Sequence, residues 1–293
     1  AVVTVATGYP PGVLTPLIRS LRVHSQSPLV VATDRGEEVL AAFPGDDLMI
    51  CPVTKSSGYR PYPALARIEY YMQIIASLPA SVEQVLFVDS RDVLFQADPF
   101  AGLDAAPLVF FDENDDTASW TLATINGRWA WAMLPAALQR SLTGKPIVNG
   151  GVIAGSPTAL AAMCLAKLDV AMATHEWTKH TTGLDNIATN IVAHAGLVHG
   201  ATVVRNHTHV ANIYRDMQMS VDGDGCITSP GGLRCPIVHM YDRRADLLRH
   251  VNAQYGVGTD GLVLNEDRSL AKPEALASTR HWLKLARIRL LGR

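Results

Sequence analysis

The stretch Gln84-Val-Leu-Phe-Val-Asp89-Ser-Arg-Asp92-Val-Leu-Phe-Gln-Ala-Asp98-Pro-Phe100 decides how this chain is read. Four apolar residues, Val85 to Val88, form a run of the kind found in a parallel strand buried on both faces. The run ends in two carboxylates, Asp89 and Asp92, with only Ser90 and Arg91 between them. In open α/β sheets, ligands bind outside the carboxyl ends of the strands. Two acids close together there repel unless something neutralises them. A hard divalent cation such as Mg²⁺ or Mn²⁺ does so through oxygen ligands, and it can hold a phosphate in turn. The segment therefore reads as a metal–diphosphate site. The competing reading is a strand end with a solvated Asp turn and an Arg91 ion pair, and a motif this short leaves both open.

Outward from this segment, the first third of the chain alternates strand and helix. Val2–Ala6, Pro28–Ala32 and Leu48–Val53 read as strands. Leu14–His24, Glu37–Phe43 and Ala64–Leu78 read as helices, the first with Leu14, Leu17, Ile18 and Leu21 at helical spacing. Gly8-Tyr-Pro-Pro-Gly12 is a loop rich in breakers, and Tyr59-Arg-Pro-Tyr-Pro63 a stiff one. This order predicts an α/β protein with a Rossmann-like, doubly wound, mostly parallel sheet flanked by helices. Farther on, Leu108–Phe111 reads as a strand leading into Asp112 and Glu113. Lys145 to Gly155 reads as a strand interrupted by Gly150 and Gly151, which mark close approach of backbone to a ligand. Ala159–Ala173 and Asp185–Ala195 read as helices, and Thr202–Arg205 and Ile237–Met240 as strands.

The 293 residues are 48% apolar and 18% charged, as in a globular protein with a real core. A formal net charge of −2 gives no basic field for nucleic acid. No apolar run approaches the length of a membrane span, and no basic leader precedes the first strand, so a signal peptide is expected to be absent or removed. Arg greatly outnumbers Lys and Ala is abundant, which suggests a GC-rich bacterial gene. The expected location is cytoplasmic, with Cys51, Cys164, Cys226 and Cys235 mostly as thiols, although Cys226 and Cys235 could bracket a loop as a disulfide.

Several landmarks occur together and in order. Ala66-Arg67-Ile68 lies in the helix before the acidic strand, and Leu78-Pro79 leads into Val85-Leu-Phe-Val-Asp89. Asn149-Gly-Gly-Val-Ile153 follows, then Asp185-Asn186 at a helix start, and Pro236-Ile-Val-His239 at the end of a late strand. In this the chain resembles glycosyltransferases of the GT-A fold, most nearly the family 8 type that includes glycogenin and bacterial galactosyltransferases. The resemblance spans residues 1–243 as a GT-A domain and leaves 244–293 as a C-terminal helical extension. It implies a nucleotide-diphosphate sugar donor, UDP-sugar first, an acceptor that the sequence does not identify, and retention of anomeric configuration. It implies Asp89, Asp92 and His239 as ligands of Mn²⁺ or Mg²⁺. Asp185 would bind sugar hydroxyls or acceptor, and Asn186 would lie by the anomeric carbon, where an amide positions rather than attacks. Gly8, Tyr9, Arg60, Arg67, Asn149, Gly150 and Gly151 would line the donor. Arg60 and Arg67 also suit an anion by their guanidinium forks.

The pattern departs from the family twice. The acidic motif Asp89-Ser-Arg-Asp92 is one residue longer than Asp-x-Asp, so either Asp92 swings in or water takes its place. His239 is not followed by the family's Gly-x-x-Lys, and Arg243 or Arg244 would replace that lysine. Each site residue also has a bland reading. Asp185 is a good helix N-cap, Arg67 could pair with Glu69 or a nearby Asp, His239 could be a satisfied core histidine, and Arg91 is read as an ion-pair partner of Asp92. Asp112 and Glu113 are candidates for a base or a sugar contact. His207 and His209 share a strand face but read as surface. The alternatives in function are a nucleotide-sugar-binding protein without transferase activity and a metal-dependent phosphohydrolase. No Gly-x-Gly-x-x-Gly or P-loop supports a dinucleotide or NTPase site. At the end of the chain, Arg280, Lys284, Arg287, Arg289 and Arg293 stand beside Trp282, Leu283, Ile288 and Leu290. That segment predicts an amphipathic helix, either docked on the fold or in contact with an anionic membrane surface.

Overall fold

Neighbouring residues of the predicted strands enter two different cores. Val2, Leu86 and Val88 join one cluster with Leu17, Ile18 and Leu21, and Val3, Val85 and Phe87 join another with Ile68, Ile74, Ile187 and Ile191. The pleat sends successive side chains to opposite faces, so a strand apolar at every position must be covered on both. The structure, a computed structural model, describes residues 1–53, 63–103, 106–113, 120, 124–174, 183–214 and 217–257. Arg60, most of the 59–63 loop and the 273–293 helix lie outside the described residues.

The described strands are β1 (Val2–Val5), β2 (Leu29–Thr33), β3 (Leu48–Pro52), β4 (Val85–Asp89), β5 (Val93–Phe95), β6 (Leu108–Asp112), β7 (Val148–Gly155), β8 (Ala201–Val204), β9 (Val210–Asn212), β10 (Ser220–Val221), β11 (Ile227–Thr228) and β12 (Ile237–His239). The helices are α1 (Thr15–His24), α2 (Gly36–Ala42), α3 (Pro63–Ser77), α4 (Ile125–Met133), α5 (Ala136–Leu142), α6 (Pro157–Ala173), α7 (Leu184–His194) and α8 (Ala245–Tyr255). Seven strands form the large sheet in the order β3-β2-β1-β4-β7-β6-β8. All its pairs are parallel except those of β7, which runs antiparallel to both neighbours. Helices cover both faces. The protein is thus α/β with a mostly parallel central sheet, compatible with a Rossmann-like fold.

Contrary to the sequence reading, β7 is not interrupted: it runs through Gly150 and Gly151. The irregularity lies in its partner, where the β6–β7 register shifts between Phe110 and Asp112. Asn190 of α7 serves the strand at that point. Its Oδ1 accepts from the Val148 amide at 2.7 Å and its Nδ2 donates to the Val148 carbonyl at 2.9 Å. A buried backbone group without a partner costs about 1–3 kcal/mol, and this side chain supplies both partners at Val148, beyond the last β4–β7 pair at Val152.

A second sheet, β5-β12-β9, lies beyond the end of β4. Under it Leu94, Ile213, Val238 and Tyr241 pack with Leu247, Leu248 and Val251 of α8. The chain past residue 243 therefore begins with a helix that belongs to this core. All four cysteines are free thiols, so Cys226 and Cys235 form no disulfide. Among the described residues, no helix is long and apolar enough to cross a membrane.

Candidate metal centre

Asp89 is the last residue of β4 and Asp92 immediately precedes β5, so the two acids sit where the chain leaves one sheet for the other. The two intervening residues make that turn. β12 then brings His239 beside them, because it pairs antiparallel with β5 and sets His239 opposite Val93. The Met240 amide donates to the Asp92 carbonyl at 2.8 Å, and the Tyr241 hydroxyl to the Arg91 carbonyl at 3.0 Å, pinning the turn. The longer spacing is thus absorbed by the turn, and Asp92 does swing toward Asp89.

His239 Nε2 lies 3.6 Å from Asp89 Oδ2 and 3.7 Å from Asp92 Oδ1. Those separations are too long for hydrogen bonds. They match two donors about 2.1 Å from one ion and about 120° apart. The donor atoms of all three residues lie within 4.8 Å of one another. Nε2 is buried and has no hydrogen-bond partner. The other ring nitrogen, Nδ1, is 2.8 Å from Asn212 Oδ1. Asn212 Nδ2 donates to the Asp112 carbonyl at 2.8 Å, which leaves Oδ1 as the acceptor facing the ring. Nδ1 therefore carries a proton, and the neutral form of His239 turns its Nε2 lone pair toward the two carboxylates. This second bond is what metal-ligating histidines characteristically make. An ideal Cβ at Gly151 would lie 2.4 Å from His239 Cε1 and 2.6 Å from Asp89 Oδ2, so the absent side chain leaves the cradle open. Asp89, Asp92 and His239 together could hold a metal ion. Of the three side chains, Asp92 and His239 are 6% and 2% exposed and Asp89 is 35% exposed, so the approach is over Asp89.

The two acids of the cluster are shifted in opposite directions. Burial opposes ionisation of Asp89, but the Arg67 guanidinium and the His239 ring outweigh it and hold the carboxyl below the usual range. Asp92 is pushed up, by burial first and then by Asp242 and Asp89. Burial alone would lower His239, yet Asp92 and Asp89 raise it above its ordinary value. Arg91 pairs with both acids: its Nη2 is 2.9 Å from Asp242 Oδ2 and 3.7 Å from Asp92 Oδ2. The predicted Arg91–Asp92 pair is present, and Asp242 shares the guanidinium at the shorter distance.

On the other face of β7, Arg67 of α3 donates through Nη1 to Asp89 Oδ1 at 2.7 Å and through Nη2 to Asp185 Oδ2. Nη2 also reaches the Gly150 carbonyl at 3.4 Å. Asp185 is no N-cap. That position falls to Gly183, at φ 99°, where a Cβ would strike the Trp129 ring. Asp185 lies inside the first turn, buried, with Oδ1 2.7 Å from Lys167 Nζ. Arg67 and Lys167 hold its carboxyl low against the opposing effect of burial. Asn186, half-buried, donates to Asn126 Oδ1 at 3.0 Å. Asn149 donates to Glu113 Oε1 at 2.8 Å and accepts from the Gly151 amide at 2.6 Å. Burial pushes the Glu113 carboxyl up.

The remaining predicted residues are placed as follows. Gly8 takes φ 77° and donates its amide to Asp34 Oδ1 at 2.8 Å, which ties this loop to the end of β2. Tyr9 is half-buried against the α1 side of the sheet. Arg244 is committed to Asp246 and to the Met217 carbonyl, whereas Arg243 is half-exposed beside Asp242. His209 is not on the surface: it is buried, stacks on Phe111 and sits 2.8 Å from the Pro99 carbonyl.

Lys167, Asn212 and Asp242 escaped the sequence reading. Lys167 left a signal there, since it falls on the helical stripe of Leu160, Met163, Cys164, Val170 and Ala171 that α6 buries. Asn212 and Asp242 left none. Comparison with protein-family models matches none of them, and comparison with curated proteins finds no match either.

Proposed function

We propose that the protein is a divalent-metal-dependent glycosyltransferase of the GT-A type, acting on a nucleotide-diphosphate sugar. The observation that carries the reading is the orphaned Nε2 of His239 facing Asp89 and Asp92 at the carboxyl end of β4. The ordered resemblance to family 8 glycosyltransferases points the same way. Asp89, Asp92 and His239 would hold the ion, Mn²⁺ or Mg²⁺, which when bound supplies Lewis-acid stabilisation of the charge that develops on a diphosphate leaving group.

The chain's own groups do the rest. Asn212 keeps the His239 proton on Nδ1, so that Nε2 stays a donor to the ion. Asn149 fixes the Gly151 amide and with it the backbone that forms the floor of the cradle. Gly151 leaves room on β7 for His239 and Asp89, and Gly150 for Arg67 and Asp185. Asn186 orients the sugar, and half-exposed Arg243 supplies the basic group that the family's lysine would otherwise bring. A phosphohydrolase that attacks through an aspartate would need a free carboxylate oxygen, whereas one Asp89 oxygen is held by Arg67 and the other faces His239.

The test is Mn²⁺-dependent hydrolysis of UDP-sugars without acceptor, alongside calorimetric Mn²⁺ titration. Turnover that collapses in EDTA and returns with Mn²⁺ is expected. Mn²⁺ binding without turnover of any donor would favour a nucleotide-sugar-binding protein, and full turnover in chelator would overturn the metal assignment.

A further inference from the structure

Lys167 lies on the buried stripe of α6, among Met163, Cys164, Val170 and Ala171, with its side chain 3% exposed. An ammonium in such surroundings persists only against a fixed negative charge. Asp185 supplies it, 2.7 Å away. The other Asp185 oxygen is bound by Arg67, whose second arm holds Asp89 Oδ1 at 2.7 Å. Lysine, aspartate, arginine and aspartate thus alternate in sign from the core of α6 to the carboxylate at the end of β4.

We infer that Lys167 and Asp185 are positioning residues, which lock the guanidinium of Arg67 so that Asp89 presents a single oxygen, Oδ2, to the metal. The inference rests on the metal reading of the site and deepens it. A guanidinium is a rigid planar fork, so fixing the arm on Asp185 fixes the arm on Asp89. Gly150 leaves the space this needs: a Cβ there would lie 3.6 Å from both Arg67 Nη2 and Asp185 Oδ2, and 3.3 Å from Thr189 Oγ1. Both Asp185 oxygens lie against a cation, Oδ1 2.7 Å from Lys167 Nζ and Oδ2 against Arg67, which fixes the carboxylate between them.

Two variants keep the formal charge of the chain while breaking the lock. One is the paired Lys167→Met/Asp185→Asn, and the other is Arg67→Lys, which keeps the charge but loses the fork. Each is compared with the wild-type full chain by calorimetric Mn²⁺ titration, thermal melting in EDTA, and kcat and KM for donor hydrolysis. The expected result is Mn²⁺ affinity about 10–100-fold weaker in both, the scale of losing a partner that orients a metal ligand, with cooperative melting retained. If the paired variant does not fold, Arg67→Lys decides on the same criterion. Wild-type Mn²⁺ affinity in a folded variant overturns the inference, and so does a fall in kcat at unchanged Mn²⁺ affinity, which would mark Asp185 as a catalytic residue. A wild-type chain that binds no Mn²⁺ overturns the metal reading, and this inference with it.

Discussion

His239 occupies the space that a side chain at Gly151 would need: an ideal Cβ on Gly151 falls 2.4 Å from His239 Cε1 and 2.6 Å from its Nε2. The neighbouring Gly150 faces the other side of β7, where a Cβ would meet its nearest neighbour at 3.3 Å. Two adjacent glycines therefore serve two different faces, and they should not respond alike to substitution. Gly151→Ala is expected to displace His239 or Asp89 and weaken Mn²⁺ binding by about a hundredfold, the upper end of what disturbing a metal ligand's orientation costs. Gly150→Ala needs a shift of only a few tenths of an ångström and should weaken binding about tenfold or less. Calorimetric titration of both variants checks the order; equal losses would place the glycines in a common structural role.

Asn212 holds His239 Nδ1 at one end and the Asp112 carbonyl at the other. Asn212→Leu removes both bonds. Mn²⁺ affinity should fall about 10–100-fold through loss of ring orientation, and stability by about 1–3 kcal/mol through the unpaired carbonyl. Denaturant melts in EDTA, with titrations on the folded variant, separate the two effects. A loss of stability with Mn²⁺ affinity intact would make Asn212 purely structural.

The His239 ring supplies a pH signature. Its pKa in the fold is raised above 6.5 by Asp92 and Asp89 despite burial. A protonated ring between two carboxylates therefore stabilises the metal-free protein fully below pH 6.5, and that contribution is lost as pH rises through the raised value. Metal binding requires the neutral ring, so Mn²⁺ affinity should rise over the same interval and level off above it. Melting in EDTA and in Mn²⁺ from about pH 6 to about pH 9 should show the two curves diverging as pH increases. A separation independent of pH would remove His239 from the ligand set.

Burial pushes the thiols of Cys164 and Cys235 up to about 11. Thiolate is the reactive form, so both should resist iodoacetamide near pH 8 in the native protein, where half-buried Cys51 and Cys226 react first. Mass spectrometry of native and urea-unfolded protein would show two protected sites that open together on unfolding. Rapid native labelling of Cys235 would contradict its packed environment.

The strands of the large sheet and the helices α1, α2, α3, α6 and α7 were legible in the sequence because their signals are local, whereas β5, β9, β10, β11, α4 and α5 are short and had no counterpart in the sequence reading. Val85 to Val88 is apolar at every position, as a strand covered on both faces must be, and β4 begins where that run does and ends one residue past it, at Asp89. The two acids after it were legible for the same reason. Gly150 and Gly151 were legible as places of close approach, but the approaching groups are the protein's own: His239 and Asp89 at Gly151, and Thr189, Arg67 and Asp185 at Gly150. Lys167 could have been read from its place on the buried stripe of α6.

What the sequence determined by itself was the set of faces: which residues point into a core, and which carboxylates stand at the end of which strand. Periodicity carries that information, because it depends only on the geometry of a single element. What the tertiary structure decided was which of these groups meet. The β5–β12 pairing brings His239 to Asp92, and the packing of α3, α6 and α7 on one face of the sheet joins Arg67 to Asp185 and Asp185 to Lys167. Arg67 and Asp185 are 118 positions apart in the chain. No local pattern links residues at such separation. Their charges are paired because burial leaves each group only the partner that the fold sets beside it.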